Sequence, residues 1–275
     1  MDGIMVINKP AGMTSHDVIN RLRRKYKQKK FGHTGTLDPQ ASGVLVILAG
    51  RAAKLLQFLE DTDKEYTASM KLGVRTDTGD IWGTVVSEAP VNSDFNFDEL
   101  LGHLKGKQTL RVPAYSAKKI NGKKRIDLAR SGQEVPELFQ ESEIYDIYPV
   151  DDPDHELAFH VSCSSGTYVR AICEKLAEES GNLGAMSSLV RTKASGFDLT
   201  QAEDLDCESH TLYPMTSVLN LPQIRFEPVS DIYNGKHVRL DTDADRVVMM
   251  DGNDPIAVYD RHHNNVFSCT RGLWS

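Results

Sequence analysis

The sequence contains few cysteines, and Cys163, Cys173, Cys207 and Cys269 show no paired short spacing. We therefore expect neither a disulfide framework nor a structural zinc site. Long apolar runs are missing, and no segment reaches the length that a membrane-spanning helix needs. The first residues include no basic leader and no small-residue cleavage site, which predicts a cytoplasmic protein. The sequence shows no dinucleotide fingerprint, P-loop or zinc spacing that would indicate a cofactor.

Basic residues are concentrated in two segments of an otherwise acidic chain. The formal net charge of −7, taken as an average, argues against a nucleic-acid partner. Residues 1–60, however, contain ten Lys or Arg against four Asp or Glu, and residues 101–130 contain nine against one. A basic face on an acidic body is typical of a protein that binds phosphates on one side. Judged by charge alone, solvated faces without a partner explain the pattern equally well.

A glycine-rich segment, residues 31–43, leads into an apolar run, residues 44–48. It contains three glycines, a histidine and one carboxylate, Asp38, which Pro39 follows directly. Glycine lets a ligand approach the backbone, and proline disfavours a helix at the residue before it. A carboxylate on such a stiff loop suits covalent or acid–base chemistry. A tight turn in which Asp38 caps neighbouring amides is the alternative, and the spacing does not decide between them.

Residues 32–39, GHTGTLDP, resemble the signature of the bacterial tRNA pseudouridine(55) synthase family. Residues 6–15, VINKPAGMTS, resemble the start of that family, and the likeness continues to about Gly196. The resemblance implies an isomerase that converts uridine 55 in the T-loop of tRNA to pseudouridine, with Asp38 as the catalytic residue. It implies tRNA (T-arm and T-loop) as the partner, no membrane and no obligate protein partner. The reaction involves neither redox nor hydrolysis, so no cofactor or metal is expected.

Further motifs supply the other expected site residues by resemblance. Tyr66 lies in the Lys-x-Tyr context of the family, where it stacks on the target base and assists proton removal. Residues 164–170, SSGTYVR, resemble the Ser-x-Gly-Thr-Tyr-x-Arg motif. We expect Arg170 to pair with Asp38 and keep it ionised, and Tyr168 to form a wall of the uracil pocket. An ordinary strand tyrosine and a surface arginine are the alternatives without the family match.

Two more residues are assigned to substrate binding. Leu189, in the segment 189–197, is expected to pack on the base, while Arg191 and Lys193 meet phosphate or stay solvated. Extrusion of the target base costs a few kcal/mol. His33, next to the catalytic loop, could occupy the vacated place in the RNA loop, or it could only bond the turn backbone.

A second basic segment, residues 108–132, resembles the RNA-gripping thumb of the family and its Gln-x-Pro-Pro-x-Tyr-Ser-Ala motif. The sequence departs from that pattern at two positions. Val112 stands where the first proline usually lies, and Ile126 stands near the place of a common aromatic.

The predicted fold is α+β, with a mixed, mostly antiparallel central sheet, flanking helices and a small C-terminal β-rich module. The expected domains are a catalytic domain over residues 1–215 and the module over residues 224–275, whose similarity to a PUA-type domain is weak. Thr14 or Ser15 is a plausible N-cap of a helix through Tyr26, and residues 50–59 form an amphipathic helix. An RNA-binding protein without activity is the second hypothesis. A glycosidase ranks last, because no second carboxylate stands out near Asp38.

Overall fold

The computed structural model describes residues 1–59, 63–120, 122–152 and 157–274. Its strands, in chain order, are β1 (Gly3–Lys9), β2 (Phe31–His33), β3 (Ser42–Ala49), β4 (Lys64–Leu72), β5 (Val74–Thr76), β6 (Val85–Glu88), β7 (Gly106–Arg111), β8 (Lys119–Ile120), β9 (Lys123–Lys124), β10 (Phe139–Val150), β11 (Leu157–Cys163), β12 (Gly184–Ala194), β13 (Phe197–Asp198), β14 (Glu203–Asp204), β15 (Gln223–Arg225), β16 (Val238–Arg239), β17 (Arg246–Asp251), β18 (Asp254–His263) and β19 (Val266–Gly272).

Among the described residues, the helices are fewer than the strands. The α-helices are α1 (Ser15–Lys25), α2 (Phe97–His103), α3 (Arg125–Arg130), α4 (Val169–Glu179) and α5 (Val229–Tyr233). Segments of 3-10 helix run over Gly50–Phe58, Leu199–Gln201 and Met215–Val218. Within the described residues, no helix is long and apolar enough to cross a membrane.

The chain divides into two compact units. In the first, which covers residues 1–39, 43–59 and 195–274, β3 pairs antiparallel with β1 and with β2. A parallel pairing of β1 with β14 extends this arrangement. The second unit covers residues 40–42 and the described part of 63–194, and its antiparallel strands follow the order β12-β4-β11-β10-β7. The predicted α+β class with a mostly antiparallel sheet is therefore confirmed.

A separate small sheet lies at the C-terminal end of the first unit, with strand order β15-β17-β18-β19-β16. Its strands pair antiparallel except for β15 with β17, which are parallel. Buried apolar side chains from β17, β18 and β19, such as Val247, Ile256 and Phe267, form its core. This sheet confirms the predicted C-terminal β-rich module.

Local sequence signals explain the elements next to the glycine-rich segment. Thr14 caps α1 through a capping box, since its hydroxyl accepts the Asp17 N–H and the Asp17 carboxylate accepts the Thr14 N–H. Strand β3 is an apolar run whose side chains are buried from Gly43 to Ala49. The segment after it, residues 50–59, was predicted as an amphipathic helix and forms a 3-10 helix over Gly50–Phe58. Both helix types bury one apolar side of such a short segment, so the pattern does not separate them.

Candidate active site

Asp38 lies half-buried in the loop between β2 and β3, and the backbone is fixed on both sides of it. Before Asp38, the Leu37 N–H donates to Ser15 Oγ (2.9 Å), and the Ser15 hydroxyl donates to the Leu37 carbonyl (3.2 Å). After it, the Pro39 carbonyl accepts the Gly12 N–H at 2.9 Å. Gly12 has a φ of +85°, which favours glycine. The two matched segments, residues 6–15 and 32–39, therefore hold one loop together.

A buried lysine supports the same loop. Lys9, at the end of β1, has no exposed surface. Its Nζ donates to the carbonyls of Pro10 (3.0 Å), Met13 (2.7 Å) and Pro39 (3.1 Å). A buried ammonium needs such acceptors, because an unsatisfied charge in the interior is costly. Lys9 is a loop-supporting residue that motif spacing does not reveal, although its place at the end of an apolar strand is a usable signal.

His33 ends β2 and is half-buried, five residues before Asp38. The next residue is held by β3, since the Thr34 N–H donates to the Val46 carbonyl at 3.1 Å. The Thr34 side chain also accepts a hydrogen bond from Ser195 Oγ at 3.1 Å. His33 thus follows a strand and precedes a fixed turn. Its contact with RNA stays a prediction.

Tyr66 and Leu189 lie on one face of the sheet of the second unit, together with Arg191. Tyr66 on β4 pairs with Arg191 on β12, and Ala68 pairs with Leu189 two residues along each strand. Residues opposite each other on antiparallel strands point to the same face. All three side chains are buried, and the Arg191 guanidinium forms a hydrogen bond with the Tyr66 side chain.

Arg191 was expected to meet phosphate or stay solvated, and that prediction is wrong. Its side chain has no exposed surface, and burial lowers the pKa of the guanidinium, an effect that Tyr66 partly offsets. The alternation of β12 was the missed signal, because Arg191 shares the face of the buried Leu189 two residues earlier. Arg191 is therefore a candidate positioning residue for Tyr66. Lys193, by contrast, is half-exposed and forms an ion pair with Glu65 at 3.1 Å.

Arg170 lies in the first turn of α4 and is 5% exposed. Its NH1 donates to the Thr78 carbonyl (2.7 Å) and lies 3.8 Å from Asp80 Oδ2, and its NH2 donates to the Tyr115 carbonyl (3.1 Å). The predicted surface alternative is therefore wrong. Asp38 and Arg170 belong to different units, and their pairing stays a prediction.

Tyr168 precedes α4 as its N-terminal cap residue and is half-buried. Its place two residues before Arg170 puts both at the start of one helix. The predicted wall of the uracil pocket stays a prediction. Among the residues described here, no group of three or more His, Cys, Asp or Glu side chains is arranged to hold a metal ion.

The thumb segment, residues 108–132, includes the β8–β9 hairpin and α3, and it presents exposed lysines. Lys119, Lys123 and Lys124 line an open groove of about 480 Å³. At the base of the segment, the guanidinium of the buried Arg125 donates to the carbonyls of Val112, Pro113 and Pro136 at 2.6–3.2 Å. Burial lowers the pKa of Arg125. Asn121, part of the matched segment, lies outside the described residues.

The two departures from the thumb pattern have defined places. Val112 is buried, and its N–H donates to the Leu138 carbonyl at 2.8 Å, a bond that a proline there could not form. Ile126 is half-buried in the first turn of α3. Both positions therefore contribute to the packing of the segment.

The basic residues of α1 and its tail are partly used within the protein. Arg21 forms an ion pair with Asp206 at 3.0 Å, and Arg23 Nε donates to the Lys29 carbonyl at 3.0 Å. Lys25 Nζ donates to the Cys207 carbonyl. The ion pair neutralises one of the seven charges in residues 21–30, so the positive potential of this segment is smaller than the sequence count suggests.

Residues 23–169 match the N-terminal domain of the TruB family of pseudouridylate synthases. The tRNA pseudouridine synthase B of Lactobacillus johnsonii is 36% identical, and the alignment covers 95% of this chain and 95% of that protein. The tRNA pseudouridine synthase B of Bacillus subtilis is 40% identical, and the alignment covers 80% of this chain and 77% of that protein. The chain belongs to the TruB family. It is thus a pseudouridine synthase, an enzyme of the isomerase type, as the sequence analysis expected.

Two solved structures have a similar fold. The archaeal box H/ACA sRNP Nop10–Cbf5 complex aligns with a TM-score of 0.70, covering 99% of this TruB family chain and 86% of that chain at 20% identity. A structure of an H/ACA RNP bound to a substrate RNA containing 2′-deoxyuridine aligns with a TM-score of 0.68 at 19% identity, covering 99% and 85%. At this identity the likeness shows the fold alone.

Proposed function

We propose that this protein isomerises uridine to pseudouridine at position 55 in the T-loop of tRNA. Membership of the TruB family and the names of the relatives support this substrate. The observation that carries the proposal is the brace on the signature loop. Lys9 and Gly12 bind the carbonyl after Asp38, and Ser15 binds the residue before it. A loop fixed on both sides can hold one carboxylate ready for reaction at a flipped-out nucleotide.

Asp38 is the catalytic residue in this proposal. The reaction breaks the bond between N1 of uracil and C1′ of the ribose, and it joins C5 of the same base to C1′. The proton on C5 leaves, and a proton returns to N1, so no oxidant, reductant or external group is needed. The carboxylate acts at the ribose, either as a nucleophile or as a base, and Arg170 pairs with it and orients it.

The remaining residues bind and orient the base. Tyr66 stacks on the flipped uracil and assists removal of the C5 proton, and its hydrogen bond to Arg191 fixes its ring. Leu189, on the same sheet face, packs on the base, and Tyr168 forms a wall of the pocket. His33 contacts the RNA loop at the place that the uridine leaves. The exposed thumb lysines bind phosphates, which makes the affinity dependent on salt.

Residues 1–215 would form the catalytic domain, and residues 224–275 a small C-terminal β-rich module. The basic segments of this chain supply the charge for tRNA binding, so the enzyme would work without an obligate protein partner. A substrate of this kind places the protein in the cytoplasm.

The test follows the hydrogen that the new bond displaces. A tRNA transcript labelled with tritium at C5 of uridine is incubated with the protein, and the label released to water is counted. The proposal predicts release equivalent to one site per tRNA, and loss of release when U55 is replaced by cytidine. No release by wild-type protein that binds the transcript would contradict it and favour an RNA-binding role alone.

A further inference from the structure

The loop between β5 and β6 displays an exposed tryptophan at its tip. The side chain of Trp82 is 47% exposed, and its neighbours Ile81 and Val85 are 40% and 51% exposed. Large apolar side chains clustered at the surface mark interaction sites more often than single ones do. None of the motifs assigned above uses this tip.

The tip is held rigidly from within the loop. The backbone N–H of Trp82 donates to Asp80 Oδ1 (3.2 Å), and Thr78 Oγ1 donates to the same carboxylate oxygen (2.7 Å). The Thr84 N–H donates to Asp77 Oδ1 (2.8 Å), and Thr76 Oγ1 donates to the Asp80 carbonyl (2.6 Å). Little conformational entropy is therefore left for a ligand to remove at this backbone.

The same tip is tied to β12 by two backbone hydrogen bonds. The Met186 N–H donates to the Gly79 carbonyl (3.0 Å), and the Ile81 N–H donates to the Met186 carbonyl (2.9 Å). Gly79 has a φ of +77°, and a Cβ there would lie 3.1 Å from Glu174 Oε1. An exposed indole on a backbone fixed in this way is a preformed stacking surface.

The loop also contacts residues that the proposed function places near RNA. Thr78 supplies the carbonyl that binds Arg170, and the Tyr115 hydroxyl donates to Asp77 Oδ2 at 3.2 Å. Tyr115 stands three residues before Lys118, where the lysines of the thumb begin. Trp82 therefore belongs to a loop that contacts Arg170 through Thr78 and Tyr115 through Asp77.

We propose that Trp82 stacks on an unpaired nucleobase of the RNA substrate, next to the uridine that is isomerised. The inference rests on the proposed function. Extrusion of a base exposes the faces of its neighbours, which aromatic side chains bind in single-stranded RNA. The carboxylates of Asp77 and Asp80 in the same loop disfavour a phosphate, whereas an uncharged base face suits the indole. Stacking of this kind changes affinity by about 5-fold to 100-fold per base.

Fluorescence gives the most direct test, because the chain has two tryptophans, Trp82 and Trp274. An unmodified tRNA transcript is titrated into the Asp38→Asn protein, which prevents turnover, and into the Asp38→Asn, Trp82→Phe protein, which reports Trp274 alone. We expect the RNA to quench a component of the emission that the Trp82→Phe protein lacks. Equal quenching in both proteins would overturn the proposal.

Kinetics with the labelled transcript give an independent readout. Trp82→Ala should raise KM by about 5-fold to 100-fold and leave kcat within about twofold, while Trp82→Phe restores most of the affinity. Tyr145→Ala, which removes a 42% exposed aromatic from β10, is the matched control and should leave KM unchanged. An unchanged KM in Trp82→Ala, or an equal rise in both alanine variants, would overturn the proposal.

Failure of the proposed function gives a different result. If the wild-type protein releases no label, the function assigned to it fails. The titration still decides the stacking in that case, because quenching of Trp82 by RNA does not require turnover. Quenching would support the contact with RNA, and its absence would contradict it.

Discussion

At the residue scale, buried positive charges hold the backbone of the Asp38 loop and of the thumb segment. Lys9 donates hydrogen bonds to three backbone carbonyls, and Arg125 donates to three others. Both side chains are at most 2% exposed. The N–H donors of each side chain are therefore bonded to the protein rather than to water. Removal of such a group leaves carbonyls unsatisfied in the interior, which costs more than the loss of a surface charge.

Lys9→Met should therefore lower the free energy of unfolding by about 2–4 kcal/mol. The side chains have similar length, so the change removes the ammonium and its three hydrogen bonds. Urea denaturation measures the stability, and label release should also slow because the Asp38 loop loses its brace. Lys71→Met, on the exposed side of β4, is the control and should change stability by less than about 0.5 kcal/mol. Equal effects of both substitutions would contradict this role of Lys9.

The sequence predicts some of these residues and misses others for a physical reason. Asp38, Tyr66 and Leu189 were singled out by motifs, while Lys9 and Arg125 were read only as positive charges. Charge predicts exposure, because burying a charge is costly unless acceptors surround it. Those acceptors are carbonyls from other parts of the chain, which composition and spacing do not reveal. The burial of Arg191 was also missed, although strand alternation places it on the face of the buried Leu189.

At the element scale, α4 carries Arg170 at its start and a half-buried carboxyl, Glu174, one turn later. Burial raises the pKa of Glu174, although Arg111 and Arg75 oppose the shift. The folded protein therefore holds this proton at pH values where the unfolded chain has released it. As a result, this group makes the protein less stable as pH rises through the interval between the two pKa values.

Glu174→Gln should accordingly raise the Tm at about pH 7.5, and the gain should disappear below about pH 3.5, where both states are protonated. Thermal unfolding across this range measures the effect. Glu178→Gln is the matched control on the same helix, because Glu178 is exposed and pairs with Arg75 at 2.7 Å. It should not raise the Tm. A gain in Glu174→Gln that persists at low pH would contradict the titration of Glu174 as its cause.

The sequence predicts where several helices begin, but it does not predict whether a short helix is an α-helix or a 3-10 helix. The capping signal at Thr14 or Ser15 predicts the start of α1, and Thr14 is the residue that caps it. The amphipathic pattern predicts a helix over residues 50–59 but not its type, and the segment Gly50–Phe58 is a 3-10 helix. Gly50, at a φ of +59°, and the bond from the Arg51 N–H to Asp2 set the start of this segment. The partner Asp2 is distant in sequence, so a local pattern could not show this.

At the scale of the whole molecule, Arg51 joins distant parts of the first unit. Its guanidinium forms two hydrogen bonds with the Asp254 carboxylate at 2.9 Å each, and its Nε binds Asp2 at 3.0 Å. The Asp254 bond raises the pKa of Arg51, so the charge persists at all usable pH values. Arg51 therefore links three parts of the first unit through its ion pairs: the start of β1, the 3-10 helix and the C-terminal sheet.

Arg51→Ala should weaken the attachment of the C-terminal sheet and lower stability by about 1–2 kcal/mol, because the bidentate bond is only partly exposed. Hydrogen exchange should rise in β17 and β18, as measured by mass spectrometry of their peptides. Arg239→Ala, an exposed arginine of the same sheet, should leave exchange unchanged. Equal protection in Arg51→Ala and wild type would contradict this role.

We propose that Asp38 performs the isomerisation, and its substitution tests this role most directly. Asp38→Asn keeps the size of the side chain and removes its charge, so we expect the loop to remain intact. Release of tritium from C5-labelled tRNA should fall by at least about 10³-fold, with the affinity for the transcript within about threefold of wild type. Release by Asp38→Asn at a rate near that of wild type, with equal tRNA binding, would contradict the catalytic role of Asp38.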